Sequence, residues 1–185
     1  MKYQDLNKDL EENKEALSNL DLEIVKKIAL KIDEIRKGNK TIFVAGNGGS
    51  SSTASHFVND LMKATLNKDK NLIKAISLSD NIPLLTAVSN DIDYDDIFRF
   101  PLRSLAKNGD MLVVISASGN SKNLINAVDY CNKNNIFTAG LLGFDGGELN
   151  QKVNISSLIR TPFNKYELVE NIHMVICHLI SSYLK

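Results

Sequence analysis

The chain has 185 residues, 43% of them apolar, and its 22 Lys and Arg are balanced by 22 Asp and Glu. That size and composition predict one domain over 1–185 with a sizeable core. Zero net charge provides no field to gather nucleic acid or an anionic membrane surface, so neither is expected as a partner. The N-terminal stretch MKYQDLNKDLEENKEAL is charged throughout and lacks the apolar segment of a signal peptide. No run approaches the roughly 18 apolar residues of a membrane span, and the expected location is the cytoplasm.

Tyr3, Leu6, Leu10 and Leu17 recur at near-helical spacing, followed by Leu22, Val25, Ile28, Ile32 and Ile35, with Gly38 as a stop. A helical hairpin over 1–38 follows. Its apolar stripe is larger than the flank of a monomer needs, which points to subunit packing, although a helix covering the sheet carries the same stripe. Apolar runs at 41–45, 73–78, 111–116, 137–142 and 153–159 then alternate with helical patterns at 50–64, 80–89, 95–106, 121–133 and 164–184. Strands alternating with helices predict an α/β core over 39–185, a three-layer sandwich with a five-stranded parallel sheet flanked by helices. Cys131 and Cys177 sit in helical patterns without a CxxC, as buried reduced thiols do.

Ligands of an open parallel sheet bind outside the carboxyl ends of its strands. Two loops there carry chemistry. GNGGSSS, 46–52, follows the first strand and opens a helix, so its glycines permit close backbone approach and its amides can face an anion. It matches neither G-x-G-x-x-G nor a Walker loop, which argues against dinucleotides and nucleoside triphosphates. ISASGNSKN, 115–123, supplies the hydroxyls of Ser116, Ser118 and Ser121 at a second strand-to-helix turn, a nest suited to a phosphate monoester. Either loop alone reads equally well as a capped turn; two at equivalent sheet positions favour a ligand site.

The three histidines fall in two segments, His56 after the first loop and His173 and His178 on the last helix. His56 and Asp60 are four apart and share a helical face. Glu170 and His178 are eight apart, about 80° around the axis, although Glu170 with His173 is also a permitted pair. His56, Asp60, Glu170 and His178 together can bind a divalent metal or transfer protons.

In order and over nearly the full length, AGNGGSSSTASHFVNDL, LLTAVSND, GDMLVVISASGNSKNLINAV, LLGFDGGEL and VENIHMVICH resemble the phosphoheptose isomerases of the sugar-isomerase (SIS) fold. The resemblance implies conversion of sedoheptulose 7-phosphate to D-glycero-D-manno-heptose 7-phosphate for bacterial lipopolysaccharide or capsule, a homotetramer with interfacial sites, and in several members a bound zinc. It also implies that Asn47, Gly48, Gly49, Asn90 and Asp91 contact substrate and that Ser116, Ala117, Ser118 and Ser121 hold the phosphate. By the same resemblance Asp60 stands where the family has glutamate, Glu170 where it has glutamine, and His178 where it has its catalytic histidine. Leu168 and Asn171 replace a neighbouring arginine and glutamate, and Ala117 replaces a threonine.

The reading that results is an aldose–ketose isomerase of a sugar phosphate. Moving a proton between adjacent carbons through an enediolate needs a base, an acid for the oxygens and stabilisation of developing charge. Asp60 is the expected base and His178 the expected acid, with Glu170 as the other candidate base. Zinc held by His56, Asp60, Glu170 and His178 is the competing use of these groups, and Glu170 is also expected to contact substrate. The alternative is a non-catalytic SIS-domain protein that binds a sugar phosphate or a partner. Retention of His56, an acid at position 60 and His178 favours the enzyme.

Overall fold

The structure is a computed structural model that describes residues 5–64, 66, 71–162 and 165–185. Tyr3 and Asn164, used in the predicted helices, lie outside the described residues. The N-terminal hairpin consists of α1 (Leu6–Ser18) and α2 (Leu22–Lys37). Asp5 and Asp21 cap them by accepting from the amides of Asn7, and of Glu23 and Ile24, which satisfies first-turn donors that have no partner within the helix. The two helices differ in burial: α2 buries Val25, Ile28, Ala29, Ile32 and Ile35, whereas α1 buries none.

The α/β core runs β1 (Thr41–Gly46), α3 (Gly49–Ala64), β2 (Lys74–Ser77), α4 (Ile82–Asp91), α5 (Arg99–Leu105), β3 (Met111–Ser116), α6 (Lys122–Lys133), β4 (Phe137–Gly143), α7 (Leu149–Lys152), β5 (Ile155–Ile159) and α8 (Tyr166–Tyr183). All five strands are parallel, in the order β2-β1-β3-β4-β5. Alternate side chains leave the sheet on opposite faces. Val44, Met111, Val113, Ile115, Ala139 and Leu141 pack against α2, α3 and α8. Phe43, Ala45, Leu112, Val114 and Leu142 pack against α5, α6 and α7. The sheet is thus the middle of three layers, and its central strand β3 is buried throughout.

The helix expected over 95–106 is two pieces, a 3-10 turn at Tyr94–Asp96 and then α5. Pro101 has no N–H and its ring would clash with the carbonyl four residues back, so it is tolerated only in a first turn. Starting at Arg99 places it there. Likewise α4 starts at Ile82, with Pro83 in its first turn and Asn81 Oδ1 accepting from Leu84 N at 3.2 Å. The short α7 had no periodic signal in four residues. Among the described residues no helix is long and apolar enough to cross a membrane.

Candidate active site

Strand order reverses between β1 and β3, so the crevice for a ligand opens beyond their carboxyl ends. The two loops singled out in the sequence meet there. In the first, Gly48 has φ +54°, a conformation costly for any residue with a Cβ. Gly49 begins α3, and both carboxylate oxygens of Glu170 lie 2.5–2.6 Å from where its Cβ would stand. Glycine at 49 therefore admits Glu170 to the amino end of α3, where the helix dipole favours a carboxylate. Asn47 exchanges hydrogen bonds with Asn123 across the crevice: each Nδ2 donates to the other's Oδ1 at 3.0 Å. The Tyr94 hydroxyl donates to Asn47 Oδ1 at 3.1 Å.

In the second loop, buried Ser116 accepts from Gly119 N at 3.0 Å and Ser118 accepts from Asn120 N at 3.3 Å, which hold the turn. Ser121 occupies the cap position of α6, and its hydroxyl makes no capping hydrogen bond. Ala117 is buried. Asn90 and Asp91 end α4, both exposed, with Asn90 Nδ2 donating to Asp91 Oδ1 at 2.8 Å.

Along the seam where α3 packs on α8, His56 and His178 present their Nε2 atoms to each other at 3.0 Å. Asp60 Oδ2 lies 3.3 Å from His56 Nε2 and 3.5 Å from His178 Nε2. The two rings stand edge to face, 5.1 Å apart, and both histidines are exposed. Two imidazole nitrogens and one carboxylate oxygen at these separations fit a tetrahedral ion, whose ligands at bonds of about 2.0–2.1 Å stand roughly 3.3 Å from one another. This trio is the metal-type cluster found among the described residues, and Glu170 is not part of it. Glu170 and His178 lie on one side of α8 but do not meet, since eight residues advance about 12 Å along a helix.

His173, the third histidine, is fully buried and neither ring nitrogen makes a sound hydrogen bond. Burial pushes its pKa down to about 4, with the Leu142 carbonyl opposing. It is a neutral core side chain rather than a partner of Glu170 in the crevice. Cys131 and Cys177 are both free and buried. Burial raises the Cys131 thiol to about 12, and it raises Cys177 further, with the Asp60 charge adding to it. Both remain unreactive thiols. Two residues of the crevice were missed in the sequence: Asn123, whose contact with Asn47 spans 76 positions, and Tyr94. The one local signal was Asn123 beside the serine loop at the start of α6.

A cavity of about 660 Å³ lies elsewhere, between the α1–α2 hairpin and the β5–α8 connection, with Glu12, Asn19, Arg160 and Lys165 in its wall. None of the residues lining it belongs to the two loops or the trio.

Residues 6–143 match the family model of the SIS domain. The chain is 36% identical over 181 residues to a Thermoplasma acidophilum protein named "Probable phosphoheptose isomerase", with 95% of each chain covered. It is 36% identical over 142 residues to the phosphoheptose isomerase of Colwellia psychrerythraea, covering 76% of this chain and 71% of that one. The structure of the Neisseria gonorrhoeae phosphoheptose isomerase superposes with a TM-score of 0.86 at 26% identity, covering 96% of this chain and 93% of that chain. The parallel sheet, the paired loops at its switch point and these similarities agree: the chain belongs to the SIS-domain family and, within it, to the phosphoheptose isomerases.

Proposed function

We infer that this protein is an aldose–ketose isomerase that interconverts sedoheptulose 7-phosphate and D-glycero-D-manno-heptose 7-phosphate, for heptose of lipopolysaccharide or capsule. The observation that carries the reading is the convergence of His56, Asp60 and His178 from two helices, on a fold whose switch-point loops are built for an anion. The phosphate is held by the loop of Ser116, Ala117, Ser118 and Ser121 and by the amino end of α6. Asn47, Gly48, Gly49, Asn90 and Asp91 contact the sugar, as does Glu170 at the mouth of α3. Asp60 removes the proton from the carbon next to the carbonyl, and His178 delivers one to the oxygen, carrying the chain through an enediolate. Glu170 is the other carboxylate within the proposed site and the alternative base.

In the competing use of these groups zinc is the proposed metal, with His56, Asp60 and His178 as its protein ligands. When bound it supplies Lewis-acid stabilisation of charge on sugar oxygens. The active unit is proposed to be a cytoplasmic homotetramer with sites at subunit interfaces, and 1–185 one folding unit. Exposed Leu6, Leu10 and Leu17 on α1 support the assembly, as do Met62, Leu179 and Tyr183 on the two helices that carry the trio. The test is substitution. Asp60→Asn and His178→Asn should each lower kcat by about 10²–10⁴-fold while inorganic phosphate still binds; wild-type turnover by both variants refutes the assignment.

A further inference from the structure

The Asn47–Asn123–Tyr94 group holds more information than its distances first suggest, because every atom in it can be assigned a direction. Asn123 is 1% exposed, and its Oδ1 accepts from the backbone N–H of Leu124 at 2.9 Å. A backbone amide can only donate, so this contact fixes which end of the Asn123 amide is oxygen. The reciprocal pair then fixes Asn47: its Oδ1 must face Asn123 Nδ2, and its Nδ2 must face Asn123 Oδ1. With Asn47 Oδ1 already oriented as an acceptor, Tyr94 can only donate its O–H to it.

The remaining valences follow by subtraction. A carbonyl oxygen accepts two hydrogen bonds, and those of Asn47 Oδ1 are taken by Asn123 and Tyr94. Asn47 is left one N–H to give. Tyr94, having given its hydrogen, keeps lone pairs that can only accept. Its turn is itself tied to α6, since Asn126 Nδ2 donates to the Asp95 carbonyl at 3.0 Å. The ring is exposed at the crevice while its hydroxyl is held. We propose that these three residues form one unit in which buried Asn123 is a positioning residue that locks Asn47, and the Tyr94 hydroxyl is a further sugar contact, so that the unit offers the substrate one amide donor and one phenol acceptor. Because Asn123 stands two residues after Ser121, the same side chain ties the sugar loop to the phosphate loop.

This inference rests on the sugar-phosphate reading, and the experiment separates the two. The KM and kcat for sedoheptulose 7-phosphate and the Kd for inorganic phosphate are measured for the wild type, Tyr94→Phe, Asn123→Leu and the double variant. Tyr94→Phe keeps the ring and should raise KM about tenfold, with phosphate affinity unchanged, as expected for one hydrogen bond to the sugar. Asn123→Leu should lower kcat/KM by about 10²-fold through misplacement of Asn47. Adding Tyr94→Phe to it should cost less than about twofold more, because the unit is already broken. An unchanged KM in Tyr94→Phe, or full additivity in the double variant, overturns the proposal. If Asn123→Leu does not fold, the Tyr94→Phe result decides alone. A wild type that binds the sugar phosphate without converting it refutes the isomerase reading, and calorimetry with Tyr94→Phe still decides this one; a wild type that binds neither overturns both.

Discussion

Glu170 rests its carboxylate where a side chain at 49 would begin, and that contact gives a residue-level test of its role. In Gly49→Ala the three atoms nearest the new Cβ all belong to the far end of the flexible Glu170 side chain, which can swing away with little loss of stability. Activity should nevertheless fall, by about tenfold or more, because a displaced carboxylate no longer meets the substrate. Thermal denaturation with steady-state kinetics separates the two effects, and full activity in Gly49→Ala removes Glu170 from the site. His173 supplies a test on stability. Burial lowers its pKa from 6.5 to about 4, so between those values the unfolded chain holds a proton that the native state does not. Its contribution is complete above pH 6.5 and is lost as pH falls toward 4, on the order of 3 kcal/mol in all. Urea unfolding should show the wild type losing more stability than His173→Phe between pH 7 and 4.5; parallel profiles contradict this reading. Residue pairs were legible only where the chain itself brings them together. His56 and Asp60, four apart on one helix, could be read from spacing, whereas the approach of His178 needs the packing of α3 on α8 and the Asn47–Asn123 pair needs the whole sheet.

At the scale of elements, legibility followed burial. β3 was located to the residue because a strand covered on both faces reads as an unbroken apolar run, Met111–Ser116. The half-exposed edge strand β2, Lys74–Ser77, has a weaker pattern and came out shorter than its apolar run. The 95–106 segment was read as one helix from its apolar spacing, but the missing N–H of Pro101 decided where α5 begins. The α1 helix is the reverse case: its stripe was visible, yet α1 buries no residue within one chain, and Leu6 is 81% exposed. Apolar side chains placed in register and left uncovered are best satisfied by another subunit. Light scattering at micromolar concentration should therefore give a tetramer, and Leu10→Glu with Leu17→Glu should dissociate it and lower activity. A fully active wild-type monomer rules out sites that need a second subunit.

Across the whole molecule, a five-stranded parallel sheet carries chemistry at one end because every strand delivers its loop there. The glycine loop at 46–52, the serine loop at 115–123 and the amino end of α8 come from three segments well separated in the chain. The proposed reaction moves a proton between adjacent carbons of a ketose phosphate. It is tested most directly by NMR of purified protein with sedoheptulose 7-phosphate in D2O. An aldose heptose 7-phosphate should appear at equilibrium with the ketose, with deuterium from solvent entering at the carbon beside the carbonyl. Neither product nor exchange, from folded protein that binds the sugar phosphate, would contradict it.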